Sequence, residues 1–150
     1  MNTKLISLSA LILLSLMIIS VVLNPSYQKS IQAKYYFETG EYEEALVLAK
    51  EAFAIDVYNR MSSTIMSQSL IALKYKSYID DGKKYTLEIE KIANKEVILE
   101  NDRAKIRIIC EIMVSSYLKL APSVVTDKEL VKTAGEYYIK FEKLLAKVTR

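Results

Sequence analysis

A chain of 150 residues holds one modest domain, and since 51% of them are hydrophobic with many gathered at the N-terminus, the globular part is smaller than the length suggests. Three glycines and two prolines, set against abundant Leu, Ile, Ala, Glu and Lys, exclude a turn-rich sandwich or barrel and predict an all-α fold. The 21 basic and 18 acidic residues are mixed along the chain to a net charge of +3, which excludes nucleic acid as an expected partner, while one cysteine and no histidine exclude an intramolecular disulfide and nearly all zinc chemistry.

Leu5 to Leu23 is a run of nineteen residues without a charge. As a helix it spans roughly 28 Å, close to the hydrocarbon thickness of a bilayer. The run predicts an N-terminal transmembrane helix. Ser7, Ser9, Ser15 and Ser20 do not defeat insertion, because each hydroxyl can donate to a carbonyl one turn back. Asn24 and Pro25 end the helix. The competing reading is a cleaved signal peptide starting with Lys4, but no Ala-x-Ala stands at the end of the run and no cysteine there can carry a lipid. The expected organisation is an anchor or signal segment over 1–25 and a helical domain over 26–150. With so short a head, the N-terminus is expected inside and the domain in the periplasm or outside the cell; cleavage instead gives an exported soluble protein.

From Ser26 the pattern turns helical. Tyr36 follows Gln32 and Ala33 at helical spacing, and Glu38, Thr39 and Gly40 close the helix, with Gly40 supplying a left-handed residue. A second helix follows at once, with Tyr42, Ala45, Leu46, Leu48, Ala49, Ala52, Phe53 and Ile55 at three- and four-residue steps. Glu41, Glu43 and Glu44 crowd its first turn, where the helix dipole favours negative charge. Ala33, Ala45 and Ala52 are small enough for two helices to approach closely.

The stretch Gly40-Glu41-Tyr42-Glu43-Glu44-Ala45-Leu46, with Ala33 and Tyr36 before it and Ala52 after, resembles a tetratricopeptide repeat over about Ser26 to Asn59. Lys29 stands where that family has a large apolar residue and Val57 where it has proline, so the resemblance implies an N-terminal, capping type of repeat. One hairpin cannot bury its apolar face alone, and the resemblance implies about three antiparallel hairpins stacked as an α-solenoid.

Further along, Asn59 can cap a helix to about Ile79 in which Met66, Ser67 and Leu70 partly repeat the large, small and large spacing, and Asp80, Asp81 and Gly82 are expected to end it. That places Gly82 eight residues beyond the turn of a thirty-four-residue repeat. Lys84 to Ala93 reads as a shorter helix with Leu87, Ile89, Ile92 and Ala93 inward, and Asn94 to Glu100 as a break. Asn101 or Asp102 can cap a helix with the stripe Ile106, Ile109, Cys110 and Met113, continuing to Ala121 before Pro122. After a loop over Ser123 to Thr126, the capping box Thr126-Asp127-Lys128-Glu129 opens the last helix, apolar through Leu130, Val131, Ala134, Tyr138, Phe141, Leu144 and Leu145. It ends on Lys143, Lys147 and Arg150. The total is an anchor and six helices.

Catalytic chemistry is not expected. Without histidine a Ser or Cys nucleophile lacks its usual base, and no G-x-S-x-G or S-x-x-K context singles out a serine as a nucleophile. Gly82-Lys83-Lys84 lacks the upstream glycine and following Ser or Thr of a phosphate loop. Cys110, inside IRIICEIM, reads as a buried core thiol. The eleven tyrosines are expected mainly at packing interfaces with their hydroxyls at the edge, Tyr35, Tyr36, Tyr42, Tyr137 and Tyr138 foremost. No cofactor, metal or small-molecule substrate is expected.

In the tetratricopeptide family one face of each first helix lines a groove that holds a partner segment. Carried onto this sequence, the resemblance implies a partner-binding face of Tyr27, Ser30, Lys34, Phe37 and Glu38, then Thr64, Gln68 and Ile71, then Arg107 and Glu111. The clustered Lys and Asn that clamp a C-terminal carboxylate in some members are missing. The expected function is a membrane-anchored protein–protein interaction module of the bacterial cell envelope that docks or scaffolds a protein partner. The alternative is a structural subunit of a large envelope complex such as motor, secretion or division machinery.

Overall fold

The computed structural model describes residues 3–149, with side chains described for 6–20 and 23–149. The readings that rest on the side chains of Lys4, Leu5, Val21, Val22 and Arg150 lie outside the described residues. Among the described residues the chain is all-α, with six helices: α1 Thr3–Leu23, α2 Pro25–Glu38, α3 Tyr42–Ile55, α4 Arg60–Ala93, α5 Glu100–Tyr117 and α6 Lys128–Val148. It divides into two compact units, Met1–Leu70 and Ile71–Arg150, and the division falls inside α4.

In the first unit α1 keeps every described side chain exposed, and the hydroxyls of Ser9, Ser15 and Ser20 donate to the carbonyls of Ile6, Leu11 and Met17 at 2.8–2.9 Å. Among the described residues no single helix is long and apolar enough to cross a membrane; Ile6–Ser20 with Pro25–Glu38 meets that standard only as a pair bent by 73°. The bend is written locally. Pro25 forces Asn24 into extended backbone (φ −76°, ψ 117°), and the Asn24 side chain then caps α2 by accepting the Ser26 N–H at 2.9 Å.

Helices α2 and α3 form the expected hairpin, turned at Gly40 with φ +84°, a value that suits glycine because it has no Cβ. Ala33, Ala45 and Ala49 are fully buried between them with Ile65 of α4, and Tyr36, Phe37, Leu48, Met61 and Met66 close the cluster. Tyr42 is buried as expected, but Ile55 is half exposed.

A polar junction completes this unit. The buried Asn59 caps α4 as anticipated, its Oδ1 accepting from the N–H groups of Met61 and Ser62 at 3.1 and 3.3 Å. Its Nδ2 donates to Ser26 Oγ and Ser30 Oγ at 2.8 and 2.9 Å, and those hydroxyls donate in turn to the carbonyls of Ala52 and Ser26. Both ends of the Asn59 amide and the two serine hydroxyls are hydrogen-bonded, to one another or to backbone, as burial in a low-dielectric interior requires.

In the second unit the core gathers Tyr75, Tyr78, Ile79, Ile89 and Ile92 from α4, Ile106, Ile109, Cys110 and Met113 from α5, and Ala134 and Phe141 from α6. Helices α5 and α6 pack on each other. The expected stop at Asp80-Asp81-Gly82 does not occur: α4 runs unbroken through Gly82, so five helices follow α1 where six were anticipated. The physical reason is close packing. A Cβ on Gly82 would stand 2.8 Å from Cγ and Cδ1 of Tyr137, so this glycine admits a tyrosine ring from α6 and does not terminate a helix.

Smaller corrections follow the same logic. The inward positions of α4 are Ser62, Ile65, Ser69 and Ala72, while Ser67 and Leu70 face out, and Leu87 and Ala93 are exposed where burial was expected. The break after Ala93 is present, but α5 starts at Glu100 behind Leu99, whose N–H donates to Asp102 Oδ2 at 3.2 Å; Asp102 therefore caps from within the first turn. Helix α5 ends at Tyr117, earlier than Ala121. Asp127 caps α6 by accepting the Glu129 N–H at 2.8 Å, and Thr126 instead accepts the Ser123 N–H across the preceding loop.

Candidate functional site

The residues of the expected partner face are divided between the two units. Tyr27, Lys34, Phe37 and Glu38 lie on α2 and Gln68 on α4 in the first unit, whereas Arg107 and Glu111 lie on α5 in the second. Ser30 is fully buried under Asn59 and leaves the set. On α2, Lys34 pairs with Glu38 one turn on at 3.7 Å, Tyr27 and Phe37 are half-buried, and the Phe37 ring sits edge-on to Tyr42 at 5.4 Å. Gln68 is half-buried, and Thr64 is exposed.

On α5 the second part of the set is better placed. Arg107 and Glu111 are exposed one turn apart, and so are Ile108 and Ile112, at 53% and 44% exposure. Two large aliphatic side chains in one stripe beside opposite charges give an apolar centre with a charged edge. Such a surface can bury area against a protein and fix its register by charge.

A groove of about 590 Å³ opens on the same unit, lined by Lys84, Leu87, Glu88, Lys91, Ile92, Lys95 and Lys105. Lys105 holds Glu88 at 2.5 Å and Lys95 holds Asp102 at 2.6 Å, joining α4 and its following loop to α5. The hydrogen bond from Lys105 keeps the Glu88 carboxyl below its ordinary range, and the one from Lys95 does the same for Asp102. Exposed Leu87 and buried Ile92 form the apolar part of the lining.

Beneath these surfaces the titratable groups are shielded. Cys110 is fully buried, and burial pushes its thiol up to about 11, with the Glu111 carboxylate adding to the effect. A thiol held neutral is a poor nucleophile, so this cysteine packs and does not react. Tyr78 lies tilted against Tyr117, which stacks on Tyr138, with ring centroids 5.7 and 4.5 Å apart, and the Tyr138 hydroxyl donates to Glu142 Oε1 at 2.8 Å. Burial pushes the Tyr78 hydroxyl up to about 12, with Tyr117 and Tyr138 contributing. Among the described residues no group of three or more acidic or cysteine side chains is placed to hold a metal ion.

Sequence reasoning missed two features. Ser26 and Ser30, one turn apart on α2, are the inward partners of Asn59, and their i, i+4 spacing opposite a helix-capping asparagine was the available signal. Ile108 and Ile112 share the same spacing and were passed over in favour of their charged neighbours. Comparison with family models, with curated proteins and with solved structures finds no match to this chain.

Proposed function

We propose that this chain is a membrane-anchored, tetratricopeptide-like docking module of the bacterial cell envelope, holding a protein partner at the membrane surface. Leu5 to Leu23 is the anchor on this reading, single-pass with the helical domain outside the cytoplasm. The support is the uncharged run within α1, its fully exposed described side chains, and hydroxyls returned to their own helix, which together suit a lipid environment. For the scaffold, the support is the α2–α3 hairpin with Gly40 at its turn and Ala33, Ala45 and Ala52 fully buried.

The observation that carries the docking role is the exposed stripe Ile108 and Ile112 beside Arg107 and Glu111 on α5. Apolar side chains of that size left in water on a small domain mark a surface that another molecule covers. Tethering strengthens the case, because partner and domain confined to one membrane meet at raised effective concentration and even a weak surface suffices.

Photo-crosslinkers placed at Ile108 and Ile112 of the full-length protein in native membranes test this. A discrete protein adduct is expected, and Ile112→Asp should weaken it by about tenfold, equivalent to about 1.4 kcal/mol. Absence of any adduct, together with an unchanged partner set for Ile112→Asp, would refute the assignment. A second reading, a stoichiometric subunit of a larger envelope assembly, is favoured by the further exposed residues Leu118, Val124 and Val125 after α5. Adducts at those three positions as well, in one complex of fixed mass, would select it over a transient docking module.

A further inference from the structure

Helix α2 is built inside out. It buries Ser26, Ser30 and Ala33 against its own unit and presents Ile31 and Tyr35 to the outside at 54% and 63% exposure, with half-buried Tyr27 one turn before them. Tyr27, Ile31 and Tyr35 follow one another at four-residue steps and therefore share a face. A soluble amphipathic helix has the reverse arrangement, with large apolar residues inward and small polar ones outward. Buried polar side chains and exposed large apolar ones are the informative departures from ordinary burial. Here the first are explained by Asn59, and the second require an explanation outside the unit.

The position of α2 supplies one. Its first residue follows the end of α1 by a single residue, and its axis is turned 73° from that of α1. If α1 stands across a bilayer, α2 runs nearly parallel to the bilayer surface, at the level where the hydrocarbon ends. The turn is set by Asn24-Pro25 and by the Asn24 cap on Ser26. Helix α1 packs on α2, and Ile31 and Tyr35 stay exposed with the rest of the unit in place.

We infer that α2 is an interfacial helix whose Tyr27, Ile31 and Tyr35 face rests in the headgroup region of the membrane that α1 crosses. Tyrosine suits that depth, since its ring is apolar and its hydroxyl can stay hydrated. Ile31 supplies the aliphatic contact between the two rings. Lys34, beside this face, is exposed and paired with Glu38, and its long stem can keep the charge at the water side while its methylenes lie flat. The occupant of this face is lipid, not a peptide, which moves protein docking away from α2 and leaves it to α5. The assignment rests on the anchor reading.

The chain contains no tryptophan, so one introduced residue reports its own surroundings. Full-length Ile31→Trp and Val47→Trp, the latter on an exposed position of α3, are reconstituted into phosphatidylcholine vesicles with and without brominated acyl chains. Emission from Ile31→Trp should be blue-shifted and quenched at least about twofold more than that of Val47→Trp, strongest with bromines near the headgroup. Tyr35→Trp should behave as Ile31→Trp does. Equal emission and quenching at the α2 and α3 positions, in protein that still floats with the vesicles and resists carbonate extraction, overturns the inference and spares the anchor. Protein that is extracted by carbonate overturns the anchor reading, and this one with it. A blue shift seen in native membranes but not in pure lipid means a protein covers the face, which also overturns the lipid assignment.

Discussion

The two units reach stability by opposite chemistry. Around Asn59 the first unit is held by small residues and hydrogen bonds: four alanines at full burial, two serine hydroxyls, one amide and a helix cap. The second is held by volume, with Phe141, Met113 and five isoleucines packed against a run of tyrosines. Small residues let α2 and α3 approach closely but bury little apolar area, so hydrogen bonds that must be complete take a larger share of the specificity. Large residues bury more area, while a buried hydroxyl without a hydrogen-bond partner occurs in both units, Ser69 in the first and Tyr78 and Thr86 in the second. The difference predicts where each unit is brittle.

The strongest way to break the comparison is to delete the centre of each unit and follow amide hydrogen exchange in the full-length protein. Phe141→Ala should cost about 3–5 kcal/mol, because it removes a fully buried ring and leaves a cavity. Its effect should appear in α5 and α6. Asn59→Ala should cost about 2–4 kcal/mol, since it strands two serine hydroxyls and removes the cap of α4. Faster exchange should then appear in α2 and α3. Asn59→Leu sharpens the point, because restoring volume without hydrogen bonds should recover little, and full recovery would mean that the first unit is held by packing after all.

Gly82→Ala gives a smaller effect with a diagnostic sign. Alanine favours an exposed helix interior by about 1 kcal/mol over glycine, yet here its Cβ meets the Tyr137 ring at 2.8 Å. The clash should prevail and destabilise the second unit by about 1–2 kcal/mol. In a Tyr137→Ala background the same change should become stabilising. Thermal unfolding of the four variants measures both signs.

The smallest effect is a pH dependence confined to the second unit. The Cys110 thiol has its pKa raised on folding from 9.0 to about 11, so the unfolded chain releases that proton first as pH rises. Its stabilising contribution is complete below about pH 9 and is lost as pH climbs toward 11. Tyr78, raised from 10.0 to about 12, extends the decline upward. Cys110→Ala should flatten the loss between pH 9 and 11 and leave the upper part in place. Maleimide labelling of the native protein provides the companion measurement, with slow modification expected for a neutral, buried thiol and fast modification contradicting it.

Much of this architecture was legible in the residues themselves. The helix boundaries at Asn24-Pro25, Gly40, Asn59 and Asp127 come from local chemistry: a fixed proline φ, a residue free of Cβ, and side chains that accept the first N–H groups of a helix. The apolar stripes of α3, α5 and α6 were visible because their periodicity is a property of a few turns. The candidate partner surface was only half legible. Arg107 and Glu111 were named through the family resemblance, whereas Ile108 and Ile112 lay outside the stripe read on that helix and were passed over.

What the sequence by itself determined is therefore the all-α class, the end of α1 at Asn24-Pro25, and the hairpin around Gly40. Tertiary structure alone decided that α4 continues through Gly82 and that α2 turns Ser26 and Ser30 inward and Ile31 and Tyr35 outward. The reason is one of scale. Caps, prolines and turns act within a few residues and are written where they act, whereas a glycine between two helices or a serine beneath an asparagine takes its meaning from a partner tens of residues away. A local preference of about 1 kcal/mol yields to packing of that kind.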